Sequence, residues 1–254
     1  MPFITFTSDM GYKDHYTAAV KAAMYAINPA LQIIDIAHDI EPYNIAHAAY
    51  TVKSIYKNFP AHTVHLLAIG SSSMKENRWL AVKAYDHYFV AADNGILSLI
   101  IDKDPDVIIE LPAIEFTSFP EKIILAKAAA HIASGKNIRD LGKEIKILER
   151  KIHRQVRISD QQLIGSISHV DHYGNLITTI DRALFINFQK EKKMELKVGR
   201  ETIHEIHYYY NEVEPGDCIA LFNSNDLLEI AIYKGHASEL LGVQVDSPII
   251  INLY

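Results

Sequence analysis

An aspartate just after a short β-rich run, close to a glycine that lets a backbone approach tightly, suits the recognition of a polyol such as ribose. The segment Thr7-Ser8-Asp9-Met10-Gly11-Tyr12-Lys13-Asp14 has this form, following the run from Phe3 to Thr7 and opening a helical stretch. In open α/β sheets ligands settle at the carboxyl ends of strands, and one carboxylate can accept hydrogen bonds from both ribose hydroxyls. Asp14 has a second reading, as the N-cap of the next helix; Asp9 lies too far upstream for that role. A second group, Asp171-His172-Tyr173-Gly174-Asn175, lies between two β runs. It reads as a hairpin turn, and a turn can still present the Asn175 amide to a base edge. A third group, Asn223-Ser224-Asn225-Asp226 with Glu229, is either a polar turn or a further contact.

Other chemistries lack their signatures. The 13 histidines include no helical His-x-x-x-His and no Cys/His ligand spacing, so no metal and no cofactor is expected. There is no dinucleotide-binding glycine pattern, no phosphate-binding loop and no nucleophile elbow. Ser71-Ser72-Ser73 has no positioned base nearby in sequence and reads as a flexible loop. Cys218 follows the turn-like Glu214-Pro215-Gly216-Asp217 and enters an apolar strand. That suits a small buried hydrophobe better than a nucleophile.

The elements that would position these groups fall into two textures. Strands are expected at Phe3 to Thr7, Gln32 to Ile36, Thr63 to Ile69, Leu80 to Ala84, His87 to Ala91 and Val107 to Glu110. Helices are expected at Tyr16 to Ile27, Asn44 to Lys57, Ile96 to Ile101 and Ile123 to Ser134, the last closed by Gly135. This alternation predicts an α/β N-terminal domain with a largely parallel layered sheet. From about residue 155 short turn-separated β runs take over: Leu163 to Asp171, Leu176 to Ile180, Met194 to Val198, Thr202 to His207, Cys218 to Asn223, Leu228 to Ile232 and Ile249 to Leu253. They predict a small all-β barrel C-terminal domain. The expected domains are 1–155 and 156–254.

Composition agrees with a soluble globular protein: 49% apolar, 22% charged, net charge −6. An acidic balance argues against a nucleic-acid partner, although Lys136 to Lys151 is locally basic and reads as a solvated helix and loop. No apolar run reaches membrane-spanning length and no signal-like N-terminus is present, so a cytoplasmic protein without a membrane partner is expected.

Taken in order, several segments resemble the S-adenosylmethionine (SAM) hydroxide adenosyltransferase and SAM-dependent halogenase family along nearly the whole chain. They are Thr5 to Gly11 with Asp14 and Tyr16; Ile34-Asp35-Ile36-Ala37-His38-Asp39-Ile40; Phe59-Pro60 with Thr63-Val64-His65; Ala92-Asp93-Asn94-Gly95-Ile96-Leu97-Ser98; Val170 to Leu176 with Thr178-Thr179-Ile180; and Asn223-Ser224 with Leu228 to Ala231 and Gly235-His236-Ala237. The resemblance implies an α/β domain that binds a nucleoside, followed by a β-barrel that completes the ligand site, and a homotrimer with SAM or adenosine held at the subunit interface. It also implies nucleophilic attack at ribose C5′ by water or halide. By position, Asp9 and Asp14 match the ribose-binding loop, and Tyr43 and Phe119 match aromatics near the ligand. Asp171 and Asn175 match residues holding the nucleoside and methionine ends, and Ser224, Glu229 and Ala237 match the C-terminal binding cluster.

The departures concern catalysis. The water-activating Asp, Arg and His of the family fall on Gly70, Asn77 and Pro120. Arg78, one place along, and Glu121 are possible substitutes. Glu121 stands near the position where a halogenase offers Ser. It would repel halide, or face a sulfonium, or simply be an acidic residue in the first turn of a helix. The expectation is a SAM- or adenosine-binding protein with weak or absent hydrolase activity. The alternatives are an active SAM hydrolase with rewired catalysis and a trimeric scaffold that does not use SAM.

Overall fold

Five successive β-branched or aromatic residues begin Phe3–Ser8 (β1), which pairs in parallel with Gln32–Ala37 (β2) on one side and with Val64–Ala68 (β3) on the other. Trp79–Ala84 (β4) and His87–Ala92 (β5) follow, and β5 joins β3 in parallel. Val107–Glu110 (β6) and Lys143–Ile145 (β7) complete a seven-stranded sheet of order β2-β1-β3-β5-β4-β6-β7. The structure, a computed structural model, describes residues 3–71, 78–112, 117–151, 155–190 and 192–254. The chain forms two units, 1–152 and 153–254.

The first sheet is mixed, which corrects the expectation of a largely parallel one. β4 pairs antiparallel with both β5 and β6, and β6 pairs antiparallel with β7. The cause is local. Tyr85 and Asp86 both take positive φ, 53° and 61°. They form a two-residue hairpin that returns the chain beside itself with no crossover helix.

Helices cover both faces of this sheet. Tyr16–Tyr25 (α1) packs on one face, and Ile45–Ile55 (α2) and Ile96–Ile100 (α3) pack on the other. Ala126–Ala133 (α4) lies on the α1 face, entered through a π-helical turn, Glu121–Leu125. β1, β3 and β5 are therefore buried on both sides, with Ile4, Phe6, Leu66 and Val90 facing α1 and α4, and Leu67, Phe89 and Ala91 facing α2 and α3. A polar line crosses the strands on the α2 face. Thr5 Oγ1 lies 2.7 Å from His65 Nδ1, and His65 Nε2 lies 3.2 Å from His87 Nδ1. Burial is the main reason both imidazoles sit below their ordinary pKa, His65 at about 3, with His87 adding to the shift of His65.

The second unit is antiparallel throughout its named strands: Arg157–Ile158 (β8), Gln162–Val170 (β9), Leu176–Asp181 (β10), Met194–Val198 (β11), Glu201–Ile203 (β12), Cys218–Phe222 (β13), Leu227–Ile232 (β14) and Pro248–Leu253 (β15). Their order is β12-β11-β15-β9-β10-β14-β13, with β8 beside β9. A bridge from His207 to Leu221 brings the chain after β12 against β13 and nearly closes the sheet around a core of Leu163, Leu196, Ile230 and Ile251.

The sequence pattern does not reveal two helices here, Arg182–Gln189 (α5) and Ala237–Leu241 (α6). It also runs one strand on to His207, where β12 stops at Ile203. The basic stretch 136–151 holds a 3-10 turn, Ile138–Leu141, and edge strand β7 instead of a regular helix. Among the described residues, no helix is long and apolar enough to cross a membrane.

Candidate functional site

The parallel strands of the first unit all end at one edge, and β4 begins there. Asp9 follows β1 directly, and one carboxylate oxygen, Oδ2, accepts from the backbone N–H of Tyr43 (2.9 Å) and of Gly70 (3.2 Å). Both donors are in left-handed conformations, φ 65° and 54°, which is how two separate loops turn an amide toward the same oxygen. Oδ1 makes no hydrogen bond among the described residues. Gly11, at φ 64°, donates its N–H to the His38 carbonyl at 2.8 Å and closes the turn after Asp9.

The other candidates sort by position. Asp14 is exposed and does not cap α1, whose N-cap is His15 without a side-chain bond. The Tyr43 ring is 70% exposed beside Asp9. Phe119 packs edge-on to Tyr16 at 5.6 Å and backs onto the core. Pro120 is buried and N-caps the π-helical turn; it offers neither a proton acceptor nor an N–H. Arg78 is occupied. Its guanidinium pairs with the Asp93 carboxylate, whose other oxygen accepts the Glu149 N–H at 2.7 Å. Asn77 lies outside the described residues, as do Ser72, Ser73 and Met74.

Glu121, the first residue of the π-helical turn, is half-buried near Asp9 and Ser71. Burial pushes its carboxyl above the usual range and the Asp9 charge adds to the rise, while its own backbone amide and Ser71 oppose it. The Ser71 hydroxyl is buried and close to this carboxyl, but it makes no well-aligned hydrogen bond among the described residues. Ser71 is thus a residue that sequence reasoning misses: a buried hydroxyl beside the Glu121 carboxyl.

In the second unit Asp171 organises the turn between β9 and β10. Its Oδ1 accepts from the N–H of Tyr173 (2.9 Å) and Asn175 (2.8 Å), and its Oδ2 accepts from Asn175 Nδ2 at 3.1 Å. Asn175 is buried as a result. Gly174, at φ 83°, packs so closely on His236 that an added methyl would come within 2.3 Å of the ring. Gly174→Ala is therefore expected to destabilise the second unit by about 2 kcal/mol, from the clash and the left-handed φ together. Urea denaturation would read this as a lower midpoint, and an unchanged midpoint would show that His236 yields freely.

Glu229 is 3% exposed on β14 and accepts from the Tyr210 hydroxyl at 2.5 Å and from Asn223 Nδ2 at 3.2 Å. Burial raises its pKa and Asp171 adds to the rise, against these two donors. Burial, then Glu229, holds the Tyr210 hydroxyl above its ordinary value. Ser224 is exposed at the tip of the β13–β14 hairpin, and Ala237 is buried at the start of α6. Tyr210 is not identifiable in sequence because the residue it bonds is 19 positions away. Among the described residues no group of three metal-ligating side chains occurs.

The chain has relatives along its whole length. The family profile "SAM hydroxide adenosyltransferase N-terminal domain" matches residues 4–142, and "SAM hydroxide adenosyltransferase C-terminal domain" matches 165–250. A protein named (R)-S-adenosyl-L-methionine hydrolase from Thermus thermophilus is 28% identical, over 97% of this chain and 98% of its own. A fluorinase from Nocardia brasiliensis is 27% identical over 71% of this chain and 72% of its own. A crystal structure of an uncharacterised conserved protein from Thermotoga maritima superposes with a TM-score of 0.90 at 28% identity, covering 98% of this chain and all of the other.

Proposed function

The chain belongs to the SAM hydroxide adenosyltransferase family, and from that premise we propose that it binds SAM or adenosine at the end of β1, with weak or absent hydrolase activity. The observation that carries the binding half is Asp9: a carboxylate held by two backbone amides on one oxygen, with the two lone pairs of the other left for the two ribose hydroxyls. In the second unit Asp171, Asn175, Ser224, Glu229 and Ala237 are the proposed contacts to the rest of the nucleoside and to the methionine end. The trimer belongs to the same proposal, and sedimentation equilibrium tests it.

Three features support weak hydrolysis. Gly70 has no carboxylate, Pro120 has no titratable group, and Arg78 is paired with Asp93. A missing base with its charge partners lowers a rate by ~10²–10⁴-fold. One observation favours the rewired alternative. Glu121 is a desolvated carboxyl with a raised pKa beside Asp9 and Ser71, and a general base is most effective with a pKa drawn toward working pH.

Calorimetry with SAM and with adenosine tests the binding half. Asp9→Ala is expected to weaken adenosine binding about 100-fold, since two charge-assisted hydrogen bonds of about 1.5 kcal/mol each are lost. No binding by the wild type at millimolar ligand, or equal affinities for wild type and Asp9→Ala, would overturn this reading.

A further inference from the structure

We propose that His38 is a positioning residue for the Asp9 loop, gripping it on both sides of Asp9 so that the carboxylate is presented to the sugar in one geometry. The proposal rests on the nucleoside-binding reading of Asp9.

The grip has two parts, the fully buried ring on the Ser8 side and the backbone carbonyl of the same residue on the Gly11 side. His38 Nδ1 lies 2.6 Å from Ser8 Oγ, and Ser8 and His38 are 0% and 1% exposed. The Met10 N–H donates to the same Ser8 Oγ at 3.4 Å, and the Gly11 N–H donates to the His38 backbone carbonyl at 2.8 Å. His38 thus holds Ser8, just before Asp9, and Gly11, two residues after it. With the Met10 amide donating to Ser8 Oγ, the hydroxyl proton is free to point at Nδ1, which leaves the ring proton on Nε2.

Nε2 faces Asp35 Oδ1 at 3.1 Å, obliquely and not as an aligned hydrogen bond, and Asp35 is itself anchored by Lys21 at 2.6 Å. Burial would raise the Asp35 carboxyl, but Lys21 and His38 outweigh it and hold Asp35 below its ordinary range. The rings of Phe6 and Tyr12 meet the imidazole edge-on at 4.5 and 4.9 Å and fix its plane.

A buried imidazole costs desolvation that an aliphatic side chain in the same place avoids. Its polar atoms go to the Asp9 loop and to Asp35, and none serves the core. The Tyr43 and Gly70 amides hold the carboxylate itself, and His38 holds the backbone that carries it. The two anchors together leave Asp9 little freedom to turn.

The test is a double-mutant cycle read by calorimetry with adenosine and with 2′,3′-dideoxyadenosine, which lacks the hydroxyls Asp9 would hold. His38→Leu is expected to weaken adenosine about tenfold and to leave dideoxyadenosine unchanged. It is expected to add nothing in an Asp9→Ala background. His38→Asn, which can place an amide near the Nδ1 position, is expected to restore most of the adenosine affinity. Hydrogen exchange at the Met10 amide, which donates to the Ser8 hydroxyl that the ring orients, should speed up in His38→Leu without any ligand. If His38→Leu does not fold, Ser8→Ala breaks the same contact from the other side and should show the same selectivity. Equal losses for the two nucleosides, or a loss that persists in the Asp9→Ala background, overturn the proposal. Wild-type protein that binds neither nucleoside nor SAM sinks the reading of Asp9, and the role of His38 with it. In that case unchanged exchange at Met10 would separately show that the His38 ring does not hold the loop.

Discussion

Supplied with SAM, the protein is expected to form adenosine and methionine at least ~10²-fold more slowly than the Thermus thermophilus relative assayed beside it. Because the relatives are named for the (R) form, both sulfonium epimers belong in the assay, with products separated by chromatography. Three positions decide the outcome. Water attacking C5′ must lose a proton as the bond forms, and a positioned acceptor is needed to take it. Gly70 supplies none. Pro120 supplies none, and its ring nitrogen carries no hydrogen. Arg78 could stabilise charge, but its guanidinium is committed to Asp93, which in turn anchors the Glu149 amide. Freeing Arg78 would leave the side chain of Asp93, 2% exposed, without its counter-ion. What remains is acceleration by positioning alone. A rate within tenfold of the relative would sink this expectation and transfer the role of base to Glu121. Glu121→Gln should then abolish turnover while leaving SAM affinity in place.

The second large effect is on stability and concerns the buried histidine pair. His65 titrates at about 3 in the folded chain and near 6.5 when unfolded. Between those values the unfolded state binds more protons than the folded one, so stability falls as pH falls below about 6.5 and the loss is complete near pH 3. The contribution of His65 is about 2 kcal/mol between pH 7 and pH 5. His87, also lowered, acts in the same direction. His65→Gln cannot titrate. It should be less stable than wild type at pH 7.5, where the Thr5–His65–His87 line is intact, and the gap between their Tm values should narrow toward pH 5. Parallel Tm profiles for the two proteins would show that the pair does not stay neutral on folding.

Much of this is legible in the sequence because it is local. The turn after β1 follows from a β-rich run meeting Asp9 and Gly11, and the β4–β5 hairpin follows from two adjacent residues. The parallel reading of the sheet fails at that same hairpin, since a two-residue turn between strands forces them to run in opposite directions. Helix α5 escapes the sequence pattern although Asp181 caps it by accepting the Leu184 N–H at 2.8 Å. Its eight residues lie among β runs and are too few to display several helical turns. The pairings that decide chemistry are the ones sequence does not show. Ser8 meets His38 across 30 positions, Asp9 meets Gly70 across 61, and Glu229 meets Tyr210 across 19. Each depends on strand register, which only the folded sheets supply.

The conformation of Gly70 bears on what a side chain placed there would cost. An Asp reintroduced there would sit at φ 54°, a backbone state that costs a side-chain-bearing residue about 1 kcal/mol. Its charge would arise on the very residue whose amide steadies the Asp9 carboxylate 3.2 Å away. A single substitution at Gly70 would thus load the backbone and the Asp9 site at once.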